Sequence, residues 1–390
     1  MSIFLSSVAL LSVGEADAQP VDVAFSGSLR YRLASIQDDG FTEDALASTY
    51  QLLLKAELTT DTGFGAVVEG RHVGHLGSDD FNDTLNGQTQ FPVEADPEAT
   101  EFAQAYFTFT TEQVSAWAGR RKVSWGNQRF VSALGWRQNE RSFDGVGFQA
   151  QPLDQVTVRY QYAFNVNRPQ SEDSPVGNFE GDFHFLDAQI QLGENNALNV
   201  YAFDHDFSST FAQGLSARTV GANWTVSRSL TEDLTGHLIA ELAHQSDSGS
   251  NPASFDHSYY RAEGQVRGDG WSVKAGRETL AGDGTTSFRT PFALLHGYNG
   301  FADRFLATPA NGLTDTYVGA TANFGPVRAG ITYHDFTSDN GSIDYGTEWD
   351  AVATVPVNDR VSVQVKVADY EANLFSRDTT KAWLTIRATF

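Results

Sequence analysis

Apolar and polar residues alternate with a period of two along most of the chain. The residues from Val361 to Val367 are the clearest example, because valine stands at every second position. Such alternation is typical of a β-strand with one apolar and one polar face. It predicts about eighteen strands, which begin near residues 21, 49, 63, 100, 115, 142, 155, 182, 196, 217, 234, 256, 270, 314, 327, 343, 361 and 381.

The connections between these segments alternate between short turns and long polar loops. The short turns lie near residues 59–62, 111–113, 151–154, 193–196, 267–270 and 357–360, and the long loops at 34–48, 77–99, 167–181, 204–216, 245–258 and 281–313. We therefore predict an all-β fold, a closed antiparallel transmembrane β-barrel of about 18 strands, with long extracellular loops and short periplasmic turns. A soluble β-sandwich or propeller is the alternative, although no blade repeat of about 40 residues is visible.

Composition and charge narrow the possible partners and the domain organisation. The chain has 390 residues, a formal net charge of −23 and no cysteine. The charge argues against nucleic acid as a partner, and the missing cysteines exclude disulfides and thiolate metal sites. A short apolar stretch followed by Ala16-Asp17-Ala18 predicts a signal peptide at residues 1–18 and one barrel domain at 19–390. No later apolar run of about 18 residues is long enough for a transmembrane helix, so a membrane role requires a barrel.

Basic residues on the polar face of the strands are expected to line the lumen, because a lipid-facing Arg or Lys costs roughly 2–4 kcal/mol at the midplane. They outnumber the acidic residues of that face, so most of the negative charge is expected in the loops. Either these basic residues pair with lumenal acids, or they make the lumen favour anions. The basic residues of the polar face are Arg30, Arg32, Lys55, Arg71, Arg159, Arg261, Arg267, Lys274, Arg328, Lys366 and Arg387.

One segment, residues 119–146, concentrates basic and aromatic residues. Six basic residues lie between positions 120 and 141 with a single acid, and they are interleaved with Trp125, Phe130 and Trp136. Three large aromatic side chains suit a loop near 122–141 that folds inward and presents its guanidinium groups to the pore. An Arg–Asp network that braces the wall explains the same pattern equally well.

Residues 275–283 are weakly similar in sequence to the start of this segment. The pair Gly276-Arg277 repeats the pair Gly119-Arg120, and both pairs break the strand alternation. We expect a β-bulge that re-aims the arginine at each place. The following loop, near 281–313, is unusually rich in aromatic residues, so it is also expected to fold inward and narrow the pore.

These stretches resemble the signature of the alginate export family of outer-membrane porins. The resemblance rests on Gly119-Arg120-x-x-Val123-x-x-Gly126-Asn127-Gln128-Arg129-Phe130, on 136–146 and on 289–313, although the family pattern has Asp where this chain has Asn127. It implies an eighteen-stranded barrel in the outer membrane of a Gram-negative bacterium, with an arginine-lined constriction for an acidic polysaccharide. The pore-lining or substrate-binding residues would be Arg120, Arg121, Arg129, Trp136, Arg137, Arg141, Asp144, Arg277, Arg289, Asp303 and Arg304.

The chain is therefore interpreted as a passive channel for anionic solutes, such as acidic saccharides or alginate-like uronate polymers and oligomers, with outer-membrane lipid around it. A general small-solute porin without anion selectivity remains an alternative, because the chain is shorter than the exporters of the family. An outer-membrane barrel hydrolase is a weaker one, since Ser209 and His205 are close in sequence but nothing marks them as a site. No catalytic residue, metal ligand or cofactor is predicted, and the oligomeric state is left open.

Overall fold

The computed structural model describes residues 21–390, and the predicted signal peptide lies outside them. Eighteen strands form a single sheet in which every neighbouring pair is antiparallel. The strands are β1 (Val21–Asp38), β2 (Ala45–Thr60), β3 (Phe64–Asp80), β4 (Ala99–Thr110), β5 (Val114–Arg121), β6 (Ser142–Leu153), β7 (Val156–Asn167), β8 (Asn178–Gly193), β9 (Asn196–Phe207), β10 (Ala217–Ser229), β11 (Thr235–Asp247), β12 (Asp256–Gly268), β13 (Trp271–Leu280), β14 (Leu313–Phe324), β15 (Val327–Thr337), β16 (Asp344–Asn358), β17 (Val361–Ala372) and β18 (Thr379–Thr389).

The sheet closes on itself between its first and last strands. Strand β1 pairs with β2 on one side and with β18 on the other, where Ser28 lies opposite Thr389. The backbone N–H of Gly27 donates to the carbonyl of Phe390 over 2.8 Å, so the last residue takes part in the closure. The prediction of a closed barrel of 18 strands is therefore confirmed, since a sandwich or a propeller has no continuous ring of this kind.

The connections alternate in length as predicted. The even-numbered strands are followed by turns such as 111–113 and 194–195, and most odd-numbered strands by longer loops. Most strands begin within one residue of the predicted position, but β2 and β8 begin four residues earlier, at Ala45 and Asn178. Backbone pairing continues beyond the apolar band, where side-chain alternation no longer marks it. The first loop is consequently shorter than predicted, at residues 39–44.

The two faces of the wall differ in polarity, as the alternation requires. Outward positions carry apolar side chains such as Leu54, Phe107 and Val318, which are exposed on the barrel surface. Inward positions carry buried polar side chains such as Arg32 and Lys366. An inward-facing arginine is buried only if something fills the lumen, and long loops supply that filling.

Helical structure is confined to two short 3-10 turns among residues 21–390. Gln213–Leu215 lies between β9 and β10, and Leu295–Gly297 lies between β13 and β14. The second turn carries His296, which is buried. Neither turn is long and apolar enough to cross a membrane.

Candidate solute pathway

Three loops meet inside the barrel. They are L2 (residues 81–98, between β3 and β4), L3 (122–141, between β5 and β6) and L7 (281–312, between β13 and β14). Their contacts with lumenal side chains and with each other determine how much of the lumen stays open.

Arginines of the barrel wall hold L3 by its backbone carbonyls. Arg30 donates to the carbonyl of Gly135 over 2.7 Å, and Arg32 donates to the carbonyl of Trp136 over 2.7 Å. Arg71 donates to the carbonyl of Glu140, near the end of the loop, over 2.7 Å. A loop that crosses a lumen exposes carbonyls that no strand satisfies, and a guanidinium with several donors can satisfy them without a partner strand. These wall arginines therefore act on the loop and not on a passing solute.

Arg137 of L3 joins the three loops. Its two terminal nitrogens lie 2.9 Å from the Glu94 carboxylate of L2 and 3.1 Å from the Asp303 carboxylate of L7. All three side chains are largely buried. Although burial opposes it, the hydrogen bond from His296 and the charge of Arg137 hold the pKa of Asp303 below its usual value. The predicted residues Arg137 and Asp303 are thus brought together, but as a closed ion-pair junction.

Trp136 forms the aromatic centre of this junction. Its ring stacks on the ring of His296, with centroids 3.9 Å apart and planes inclined by 5°. The guanidinium carbon of Arg32 lies 3.9 Å from the Trp136 ring centroid, and the ring of Trp383 meets it edge-on. These contacts attach the Trp136 side chain of L3 to the wall residues Arg32 and Trp383 and to His296 of L7.

Arg129 makes a second junction between L3, L7 and the wall. Its Nε lies 2.8 Å from the Glu278 carboxylate of β13, and its Nη2 donates to Asn299 of L7 over 3.1 Å. The guanidinium also lies 4.7 Å from the ring centroid of Tyr298. Arg129 is only 1% exposed, so its charge is neutralised by these partners and is not available to a solute. For Arg129 and Arg137, the bracing-network interpretation describes the geometry better than a free guanidinium in the pore.

Three other arginines have no acidic partner. Arg141 donates to the carbonyls of Ser132 and Pro291, and Arg289 donates to the carbonyl of Thr308. Burial lowers the pKa of Arg141 to about 9, with neighbouring Arg168 adding to the effect, and lowers the pKa of Arg168 to about 10. Burial also lowers the pKa of Arg289. No carboxylate of residues 21–390 forms an ion pair with any of the three, so their charge is uncompensated.

These three arginines line a cavity of about 570 Å³ on the extracellular side of L3, which we call the outer vestibule. The apolar side chains of Leu134, Trp136 and Phe179 form other parts of its wall. Seven basic side chains line it against two acidic ones, Asp38 and Asp303. The basic side chains are Arg137, Arg141, Arg168, Arg289, Arg304, Arg377 and Lys381. A chain with a net charge of −23 thus has a basic cavity at its extracellular mouth.

Arg120 and Asp144 lie on the outer face of the wall, which corrects their prediction as pore-lining residues. The Arg121 guanidinium lies over the lumenal Trp117 ring, 4.1 Å from its centroid, and strand neighbours point to opposite faces. Arg120 therefore points outward, where its Nε lies 2.7 Å from Asp144. Gly119 has a φ of 125°, but no register shift occurs there, so the expected bulge does not re-aim Arg120.

Arg277 also points away from the lumen, contrary to prediction. Its neighbour Glu278 reaches Arg129 and Asn299 inside the barrel, so the next position on the strand faces outward. Strand β13 keeps a regular register on both sides at Gly276-Arg277, without the predicted bulge. The remaining predicted residue, Arg304, lies at the extracellular mouth, 2.6 Å from Asp38.

The residues considered for other chemistry do not form a site in the described part of the chain. Ser209 Oγ accepts from the backbone N–H of Glu180, and His205 Nε2 has no hydrogen-bond partner, so the two are not paired. Within residues 21–390, no three His, Asp or Glu side chains lie together in an arrangement that would hold a metal ion.

A sequence model described as alginate export matches residues 21–293, which is more than half of the chain. The chain belongs to the alginate export family. This member of the family is accordingly an outer-membrane porin of a Gram-negative bacterium. No curated protein matches its sequence.

Solved structures of bacterial porins share the fold of this porin. OccAB4 of Acinetobacter baumannii is 13% identical, with a TM-score of 0.76 over 96% of this chain and 100% of that chain. OccAB2 of the same organism is 16% identical, with a TM-score of 0.76 over 94% and 98%. OpdK of Pseudomonas aeruginosa, solved with vanillate, is 13% identical, with a TM-score of 0.72 over 94% and 98%. At these identities, the likeness concerns the fold.

Sequence reasoning missed several residues that organise the pathway of this porin. Glu94 belongs to one of the loops in which the sequence predicts most of the negative charge, yet it is buried against Arg137. Arg168 was not singled out, because it stands alone in a polar loop. Arg30, Arg32 and Lys366 were placed on the lumenal face, but their loop partners are more than 60 residues away in sequence.

Proposed function

We propose that this porin is a channel for the passive diffusion of anionic solutes, with acidic saccharides such as uronate oligomers as the preferred class. The observation that carries the proposal is the uncompensated charge of Arg141, Arg168 and Arg289 in the outer vestibule. A buried guanidinium without a counter-ion is unfavourable, and an entering carboxylate relieves that cost by charge-assisted hydrogen bonds.

The position of these arginines suits passage as well as binding. They line the outer vestibule without taking part in the ion pairs of Arg129 and Arg137, so an entering solute meets them as unpaired charges. Conduction requires sites that are favourable enough to enter and weak enough to leave. Three arginines around a 570 Å³ cavity offer several such positions.

The apolar part of the vestibule sets a second requirement on the solute. Leu134, Trp136 and Phe179 offer contact surface beside the guanidinium groups. A carboxylate on a ring therefore fits better than a small inorganic anion, whether the ring is a sugar or an arene. Vanillate, the ligand in the OpdK structure, is an aromatic carboxylate, which is the same combination of charge and apolar body.

Ion selectivity in planar lipid bilayers tests the proposal. The wild-type channel is expected to give an anion-selective reversal potential in a KCl gradient, and uronate oligomers are expected to block its current. The combined substitutions Arg141→Gln, Arg168→Gln and Arg289→Gln should move the reversal potential towards cations and weaken the block at least tenfold, since three charged contacts are lost.

Arg228→Gln is the matched control, because Arg228 is exposed near a periplasmic turn. It should leave both properties unchanged. A wild-type channel without anion preference, or an unchanged reversal potential in the triple variant, would favour a general small-solute porin.

A further inference from the structure

A second cavity lies on the other side of L3. It has a volume of about 410 Å³ and is lined by the first half of L3, including Trp125, Asn127 and Phe130, and by lumenal side chains of β7 to β11. We call it the inner vestibule. Gln189 and Asn199 of its wall lie close to the periplasmic turn at 194–195, so the inner vestibule belongs to the periplasmic half of the barrel.

The charged groups of the inner vestibule are already paired. Arg159 binds the Asp187 carboxylate through two nitrogens, at 2.7 and 2.6 Å. Glu241 accepts from Asn127 over 2.8 Å and from the Tyr201 hydroxyl over 3.2 Å. The lining therefore holds no cation that is free for a carboxylate, and Glu241 adds a negative charge. An anion that binds well in the outer vestibule is disfavoured here.

The remaining polar groups are amides and a hydroxyl. Gln189, Asn199, Asn223 and Thr225 contribute side chains that donate and accept without charge. The Asn223 side chain lies against the Glu241 carboxylate, and its Nδ2 is buried in the wall. The neutral amides and the hydroxyl of the lining are therefore the groups that can hydrogen-bond an uncharged ligand.

Aromatic side chains complete the lining. Trp125 and Phe130 of L3 face the cavity together with Tyr201 and Phe203 of β9. A few convergent polar groups set among apolar and aromatic surface are characteristic of small-molecule sites, and the volume lies within their usual range of roughly 300–1,000 Å³. Neutral hydrogen-bonding groups beside ring surfaces match a ligand that carries many hydroxyls on an apolar ring face.

From this combination we propose that the inner vestibule is a binding site for neutral, hydroxyl-rich solutes, that is, saccharides or polyols. The site is separate from the outer vestibule and needs no charge on the solute, so it goes beyond the proposed anion pathway. Its amides bind the hydroxyls, and its aromatic side chains contact the C–H face of the ring.

Current-noise measurements on the full-length channel in planar bilayers test this site, with sucrose as the probe. Sucrose added to the periplasmic chamber is expected to block the current at lower concentration than sucrose added to the extracellular chamber. The orientation of the channel in the membrane is determined with a biotin-labelled Glu232→Cys variant, since streptavidin binds it only from the periplasmic side. The label is specific because the chain contains no other cysteine and Glu232 is exposed in the periplasmic turn 230–234.

The paired substitution Gln189→Ala and Asn223→Ala should weaken the sucrose block by about fivefold or more, since two hydrogen bonds are lost. Gln265→Ala is the matched control, because Gln265 is a lumenal amide of β12 that lies outside the inner vestibule. An unchanged unitary conductance in each variant shows that the barrel is intact.

Absence of sucrose block, or a block that the paired substitution leaves unchanged, overturns the inner-vestibule site. These substitutions change no charge, so the reversal potential measured in the same membranes reports on the anion proposal separately. Either proposal can therefore fail while the other stands.

Discussion

The Lys366 ammonium donates to Nε2 of His296 over 2.6 Å, inside the barrel. The same imidazole donates from Nδ1 to the Asp303 carboxylate over 3.0 Å. An Nε2 that accepts from a cation carries no proton, so His296 is neutral when L7 is docked. Burial lowers the pKa of His296 to about 3, against the opposing effect of Asp303. The hydrogen bond from the wall residue Lys366 therefore requires that His296 of L7 is neutral.

Acid is therefore expected to loosen L7. A released His296 returns towards the usual value of 6.5, so between pH 6.5 and 3 the released loop binds more protons than the docked one. The stability of the docked state then falls as the pH falls, by at most about 1.4 kcal/mol per pH unit. Single-channel recordings should show more frequent or larger openings at pH 4.5 than at pH 7.5.

His296→Gln provides the control for this effect. Glutamine can accept from Lys366 and donate to Asp303, but it does not titrate in this range. The variant should keep the conductance of the wild type at pH 7.5 and lose most of the change between pH 7.5 and 4.5. An equal response to acid in both channels would show that another group is responsible.

Arg137→Ala should destabilise the loop junction and widen the pore. The substitution leaves the carboxylates of Glu94 and Asp303 buried without their partner, and breaking a buried pair in this way costs about 3–5 kcal/mol. We expect a lower midpoint of thermal unfolding in detergent and a larger unitary conductance. Arg228→Ala, which removes an exposed arginine, should change neither. A conductance that stays at the wild-type value would mean that L3 remains in place without Arg137.

The success of the strand prediction and the failure of some residue predictions have different physical causes. Lipid on one side and a polar lumen on the other act on every second residue, so the alternation between Val361 and Val367 reports the wall directly. The pairing of Arg137 with Asp303 joins residues that are 166 positions apart in sequence. The alternation of apolar and polar residues carries no information about such a contact between loops. Their convergence in the lumen follows from loop conformations that the pattern does not encode.

Arg277 shows where reading the pattern fails locally. The likeness of Gly276-Arg277 to Gly119-Arg120 favoured a bulge, whereas plain alternation with Glu278 would have placed Arg277 outside. The regular register of β13 shows that alternation was the better guide. The same rule places Arg120 outside and Arg121 inside.

A comparison of Arg277→Leu with Arg129→Leu tests these opposite orientations. Leucine at position 277 replaces an outward-facing charge by an apolar side chain, so neither ion selectivity nor solute block should change, and thermal stability should be kept or rise. Leucine at position 129 leaves Glu278 unpaired among buried side chains and removes the bond to Asn299, so the unfolding midpoint should fall and the conductance should rise. Reversal potentials, sucrose and uronate block, and thermal melts of both variants, measured side by side, separate the two cases. A selectivity change in Arg277→Leu similar in size to that of the triple vestibule variant would contradict the outward orientation of Arg277.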